Sequence, residues 1–125
     1  MKRIIALSLL LASTALAQQD YPRDITYCWV LPSQYVDGSA IQEGDLASTR
    51  IVSERNDGTQ VLDEMVPVNT SPGGSQCKTF VGVIPQPGTY LAVAYAITVD
   101  DISSDASDVA SRKFTGKPLP PQNFQ

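Results

Sequence analysis

Apolar and polar side chains alternate from Asp24 to Val30, with Ile25, Tyr27 and Trp29 on one side and Asp24, Thr26 and Cys28 on the other. A period of two is the mark of a strand with one packed face. Pro32 ends the run, and residues 32–45, PSQYVDGSAIQEGD, are rich in turn formers. Ala47 to Arg55 resume the alternation, with Thr49, Ile51 and Ser53 sharing a side. Asp57-Gly58 then sits between two extended runs, a strong hairpin signal, and Val61 to Val68 return. NTSPGGSQ breaks the chain again before a strand at Cys77 to Ile84. PQPGT turns into a long strand, Tyr90 to Val99, rich in small apolar residues. DDISSDAS reads as a loop, and Asp108 to Phe114 as a last strand. Nothing beyond residue 17 carries the 3.6-residue period of an amphipathic helix. Short strands at this spacing predict an all-β antiparallel sandwich or barrel.

The first seventeen residues follow another logic. Lys2 and Arg3 precede a short apolar run, Ile4 to Leu11, and Ala15-Leu16-Ala17 ends in small residues. That is the layout of a secretory signal peptide cleaved after Ala17. The run is shorter than the roughly 20 apolar residues a membrane-spanning helix needs. The expected product is an exported chain, periplasmic or extracellular, that starts at Gln18. No cysteine follows the site, which disfavours a lipid anchor.

Export alters the charge balance. Loss of Lys2 and Arg3 leaves seven basic residues against thirteen acidic ones, a net charge of −6, and the chain contains no histidine. Without a basic cluster, such a surface repels phosphate backbones, so nucleic acid is excluded as a partner. About 100 mature residues suit one hydrophobic core. Lys117 to Gln125, KPLPPQNFQ, lacks periodicity and reads with Gly116 as an extended proline-rich tail.

Cys28 and Cys77 are the only cysteines. A metal site is unattractive, because two thiolates without histidine do not close a tetrahedral zinc site. A redox pair favours close Cys-x-x-Cys spacing, whereas these lie far apart. An even number in an exported chain favours a structural disulfide.

Trp29, Pro32, DGSAI, LASTRIV, PGTYLAVAYA and SSDAS occur in an order and spacing that resemble the fibronectin type III domain, in its bacterial and phage versions. The resemblance covers about residues 24–114 and places a domain over residues 18–115. It implies a seven-stranded immunoglobulin-like sandwich, or six strands where the first, weak upstream of Ile25, is missing. Thr49 stands where the family usually has a tyrosine, and the cysteine pair is an addition to the family pattern. On this analogy the strand of Asp24–Val30 and that of Cys77–Ile84 are antiparallel neighbours. Trp29 then faces the core beside Tyr27, Ile51 and Phe80, and Cys28 and Cys77 meet on the outer face. Tyr90 takes the corner position, its hydroxyl bonded back to the backbone, with Ala92, Ala94 and Ala96 continuing inward. Trp29→Ala is then expected to cost roughly 3–5 kcal/mol.

Catalytic patterns are sparse. The absence of histidine removes the commonest general base and the triads built on it. No nucleophile elbow, zincin or phosphate-loop motif occurs. Adjacent acids such as Asp63-Glu64 and Asp100-Asp101 read as solvated surface, so the expectation is no enzyme and no cofactor. In the resembling architecture, the loop carrying Tyr35, Asp37, Glu43 and Asp45 meets the loop carrying Asp100, Asp101, Ile102 and Asp105. These eight residues form the expected binding surface for a protein or glycan, with a sheet edge as the other expected contact. Their carboxylates are calcium-type donors, but their spacing matches no calcium loop, so hydrated loops are expected instead. The alternatives are a phage-encoded accessory or virion-associated protein, or a small secreted enzyme or inhibitor using the acidic loops.

Overall fold

A computed structural model describes residues 20–123. The signal-peptide expectation for residues 1–17 therefore lies outside the described residues, as do the last two residues of the tail. Six strands form: β1 (Arg23–Val30), β2 (Leu46–Arg55), β3 (Gln60–Pro67), β4 (Ser75–Ile84), β5 (Gly88–Thr98) and β6 (Ala110–Phe114). They make two antiparallel sheets, one of β1 and β4, the other in the order β3-β2-β5-β6. There is no helix among the described residues. A strand ahead of β1, the seventh that the resemblance implies, is absent from Asp20–Pro22.

The sheets pack face to face through their alternating sides. Ile25, Tyr27, Phe80 and Ile84 from the small sheet bury against Ile51, Leu62, Val66, Tyr90 and Ala92 from the large one. Leu31, Ile41 and Leu46 make a second buried group at the end of the body where β1 finishes. Trp29 packs against both groups. The indole is only half-buried, however, and does not plug the interior as expected. Tyr90, Leu31 and Ile84 take that role. The result is a sandwich-like body with its tryptophan at the margin.

Polar side chains complete the core. Tyr27 and Ser53 share a hydrogen bond of 3.1 Å between buried hydroxyls, and burial pushes the Tyr27 phenol above its ordinary value. The Tyr90 hydroxyl donates to the Gln86 carbonyl at 2.6 Å, bracing the turn before β5, and its ring meets Phe114 edge-on at 5.8 Å. Asp24 faces a bulge in β4, where the Gly82 N–H donates to its carboxylate at 2.8 Å. Gly82 has φ +67°, a conformation that glycine adopts without steric cost.

Cys28 and Cys77 are direct cross-strand partners, with Cα atoms 4.0 Å apart and a disulfide between them. The Thr26 and Thr79 hydroxyls meet beside them at 2.7 Å on the same outer face. The bridge closes a loop of 49 residues. Restricting the unfolded chain this way is worth about 4 kcal/mol. Replacing both cysteines by alanine is expected to lower unfolding stability by about that amount, with the urea midpoint as readout. Trp29→Ala, at a half-buried site, is expected to cost about 2 kcal/mol rather than the full core value, measured the same way.

Candidate functional site

Two surfaces carry side chains that the core does not consume. The first is the loop end. Residues 32–45 fold back on themselves through Tyr35 N–H to Ser39 O at 2.8 Å and Ile41 N–H to Ser33 O at 2.9 Å. Asp45 anchors the loop, because one carboxylate oxygen accepts from the Tyr35 hydroxyl at 2.8 Å and from the Gln42 N–H at 2.9 Å. Asp37 accepts from the backbone N–H of Ser39 at 2.9 Å and from its hydroxyl at 2.6 Å. The β5–β6 connection joins this end through Val99 N–H to Asp45 O at 2.9 Å. Asp101 adopts φ +64° in the turn that returns the chain.

These bonds assign the acids a job. The Gln42 N–H, followed by the Tyr35 hydroxyl, holds the Asp45 carboxyl below its ordinary value. The Ser39 hydroxyl and N–H do the same for Asp37. Asp45 raises the Tyr35 phenol, first by its hydrogen bond and then by its charge, with smaller contributions from Asp100 and Asp37. Tyr35, Asp37, Asp45 and Asp100 are thus neighbours, and Ile102 lies exposed on the same connection. Glu43 lines a second crevice together with Val68–Pro72. Asp105 leaves the loop end. Among the described residues, no three Asp, Glu, Cys or His side chains approach closely enough to share a metal ion.

The second surface explains where Asp105 goes. Beyond Ser103 the chain does not loop out but runs along β5. Ser104 gives its N–H to Ala96 O at 2.8 Å, and its hydroxyl accepts from the Ala96 N–H at 2.9 Å. Ser107 repeats the pair on Ala94, both at 2.9 Å. Two serines three residues apart thereby satisfy alanines two apart, so hydroxyls replace ladder groups and extend β6 upward. Nothing in the Ser/Asp-rich sequence distinguishes this from a loop, since the same residues favour turns.

Between this segment and β1 lies a cleft of about 450 Å³. Tyr27 to Pro32 form one wall, Ser104, Asp105, Ser107, Asp108 and Ala110 the other. Its floor is the inner face of β2 and β5, with Thr49, Ile51, Ala92, Ala94 and Ala96. Trp29 Nε1 and Thr49 Oγ1 are buried without a hydrogen-bond partner in the protein. Each such group costs about 1–3 kcal/mol. On the opposite side the sandwich is stitched shut, with Gln76 Nε2 donating to Pro67 O at 2.8 Å and Lys78 reaching Glu64 at 3.2 Å.

The chain matches no protein-family model and no curated protein. No helix among the described residues is long and apolar enough to cross a membrane.

Removing the Ser107 hydroxyl leaves the Ala94 N–H without its acceptor. Ser107→Ala is expected to cost about 1 kcal/mol and to speed amide exchange at Ala94 before it affects β2. For the loop end the sign follows from depressed carboxyl pKa values. Asp37 and Asp45 contribute stability that is fully present above their unfolded value, about 3.9, and lost as pH falls through their lower folded values. Asp45→Asn is expected to flatten the acid limb of a stability-versus-pH profile below about pH 4. A limb as steep as the wild type's would contradict this assignment.

Proposed function

We propose that the chain is an exported, non-catalytic interaction module of fibronectin type III-like architecture, contacting a partner through its loop end. The observation that carries this reading is the braced loop end bearing exposed aliphatic side chains. Val36, Val99 and Ile102 project to solvent from loops fixed by the Asp45 and Asp37 hydrogen bonds. Rigid loops forfeit little conformational entropy on binding, and exposed aliphatic groups gain by leaving water. Support for the architecture comes from the pairing of β1 with β4 in one sheet and of β3, β2, β5 and β6 in the other. That is the resembling family's arrangement without its first strand. The disulfide agrees with an oxidising compartment.

Aliphatic contacts favour a protein over a glycan. Sugar recognition leans on free aromatic faces and unspent polar groups, whereas the Tyr35 hydroxyl is already committed to Asp45. The acidic loops serve the same end, since their carboxylates cap turns rather than converge on a reaction centre. This disfavours the enzyme or inhibitor reading.

The test is capture from periplasm and culture medium on immobilised residues 18–125, with Val36→Asp/Ile102→Asp as control. A partner retained by the wild type and reduced at least tenfold by the double variant is the expected result. Equal capture by both proteins, or selective binding on a glycan array, would overturn the reading.

A further inference from the structure

The two sheets are unequal. The small one has a single hydrogen-bonded pair, so among the described residues no strand pairs with the second edge of β1. Leu31, just past β1, spends its N–H on Gly74 O at 2.9 Å and its carbonyl on the Gly73 N–H at 3.1 Å, both toward β4. Backbone direction alternates along an antiparallel strand, so Trp29 and Tyr27 also point at β4. Cys28 and Val30 therefore turn their N–H and C=O groups toward the open side. That side is the cleft between β1 and the serine-held segment.

Several features agree on what fits there. Cys28 and Val30 offer backbone hydrogen bonds at spacing two. Ala94 and Ala96 on the floor and Ala110 on the wall leave room where larger side chains would fill the cleft. Trp29 Nε1 in the β1 wall and Thr49 Oγ1 on the floor are buried and unpartnered. Asp105 and Asp108 set a negative rim.

The chain's own upstream segment does not reach this place in the cleaved form. The Tyr21 hydroxyl donates to Thr115 O at 2.6 Å, fixing the start of the described chain at the far end of β6. Cleavage after Ala17 leaves Gln18 and Gln19 ahead of Asp20, and two residues span at most about 7 Å. The walls along Tyr27–Leu31 lie four or more residues up β1, beyond about 13 Å.

We propose that the β1 edge and its cleft accept an extended peptide segment of a partner protein as an added strand. The segment carries small or β-branched apolar side chains at alternate positions, and lysine or arginine where it passes Asp105 and Asp108. Its backbone pairs with Cys28 and Val30, and its inward side chains cover the alanine floor beside Trp29. The inference extends the module reading to a second surface. It rests on export and cleavage but not on the loop end.

The probe is an acetylated peptide of alternating valine and threonine, about ten residues long and flanked by lysines, added to oxidised residues 18–125. Amide exchange at Cys28 and Val30 is expected to slow at least tenfold at saturation. Emission from Trp29, the single tryptophan, is expected to move to shorter wavelength. Val30→Pro removes one edge donor without touching the β4 ladder, and Ala94→Phe fills the floor. Each is expected to weaken binding at least tenfold in a protein that still melts cooperatively. The same peptide N-methylated on alternate amides of its pairing edge controls for either variant failing to fold, and is expected not to bind. Replacing the flanking lysines by glutamates is expected to weaken binding several-fold at low salt.

No exchange protection at millimolar peptide overturns the proposal, as does equal binding of the N-methylated peptide or unchanged affinity in Val30→Pro. The Val36→Asp/Ile102→Asp protein keeps the edge intact and should bind the probe normally. Loss of loop-end capture and loss of strand addition are therefore separate results.

Discussion

A two-stranded ribbon is not stable by itself in water, and the smaller sheet of this protein is no more than that. It persists because one side of it is apolar and lies on a larger sheet. Ile25 and Tyr27 on β1, with Phe80 and Ile84 on β4, bury against Ile51, Leu62, Val66, Tyr90 and Ala92. Every other feature of the body depends on that face-to-face contact. It sets the inward side of β1, which in turn puts Cys28 and Thr26 outside, where the disulfide and the Thr26–Thr79 hydroxyl pair reinforce the ribbon from solvent.

Closure on one side and openness on the other follow from the same arrangement. β3 and β4 stand near enough for Gln76 to reach Pro67 and Lys78 to reach Glu64. β1 and β6 are joined ahead of β1, where the Tyr21 hydroxyl meets Thr115, and at mid-strand, where the Arg112 guanidinium sits over the Tyr27 ring at 5.6 Å. Beyond Tyr27 no hydrogen bond or ion pair among the described residues spans the gap. That accounts for the half-exposure of Trp29: its burial requires a neighbour on the free side of β1, and none of the described residues supplies one.

Most strand positions were legible because a half-buried strand imposes a period of two that composition does not disguise. Ile25-Tyr27-Trp29 and Thr49-Ile51-Ser53 both report their faces directly. Tyr90 after Pro87-Gly88-Thr89 was legible through turn chemistry, which is local. What failed was whatever depends on a distant partner. Asp105 was grouped with the loop-end acids, yet the path of a connection is decided by what it packs on, and the serine-held segment carries it along β5 to the cleft. Ser104 and Ser107 looked like loop residues because their hydroxyls do there what backbone groups do elsewhere. The Asp24–Gly82 bulge was equally silent, since a bulge adjusts register between two strands and leaves no periodic trace in either.

The cleft also bears on why β5 is so rich in alanine. In a closed sandwich, Ala92, Ala94 and Ala96 opposite a bulky indole would be a simple volume match across two layers. Here the indole stops at the edge, so Ala92 is buried in the core while Ala94 and Ala96 form a floor that the opposite sheet covers only in part. Larger aliphatic residues at Ala94 and Ala96 would bury more apolar area on that floor, whereas at Ala92 they would overpack the core. Unpaired buried polar atoms occur on both flanks, Gln76 Oε1 on the β3 side included, so the bridges made by Gln76 and Lys78 are what set the β3 side apart. Stability on the β1 flank rests on the disulfide and on Tyr21. The body is held most firmly where it is stitched shut and least firmly along the cleft side of β1.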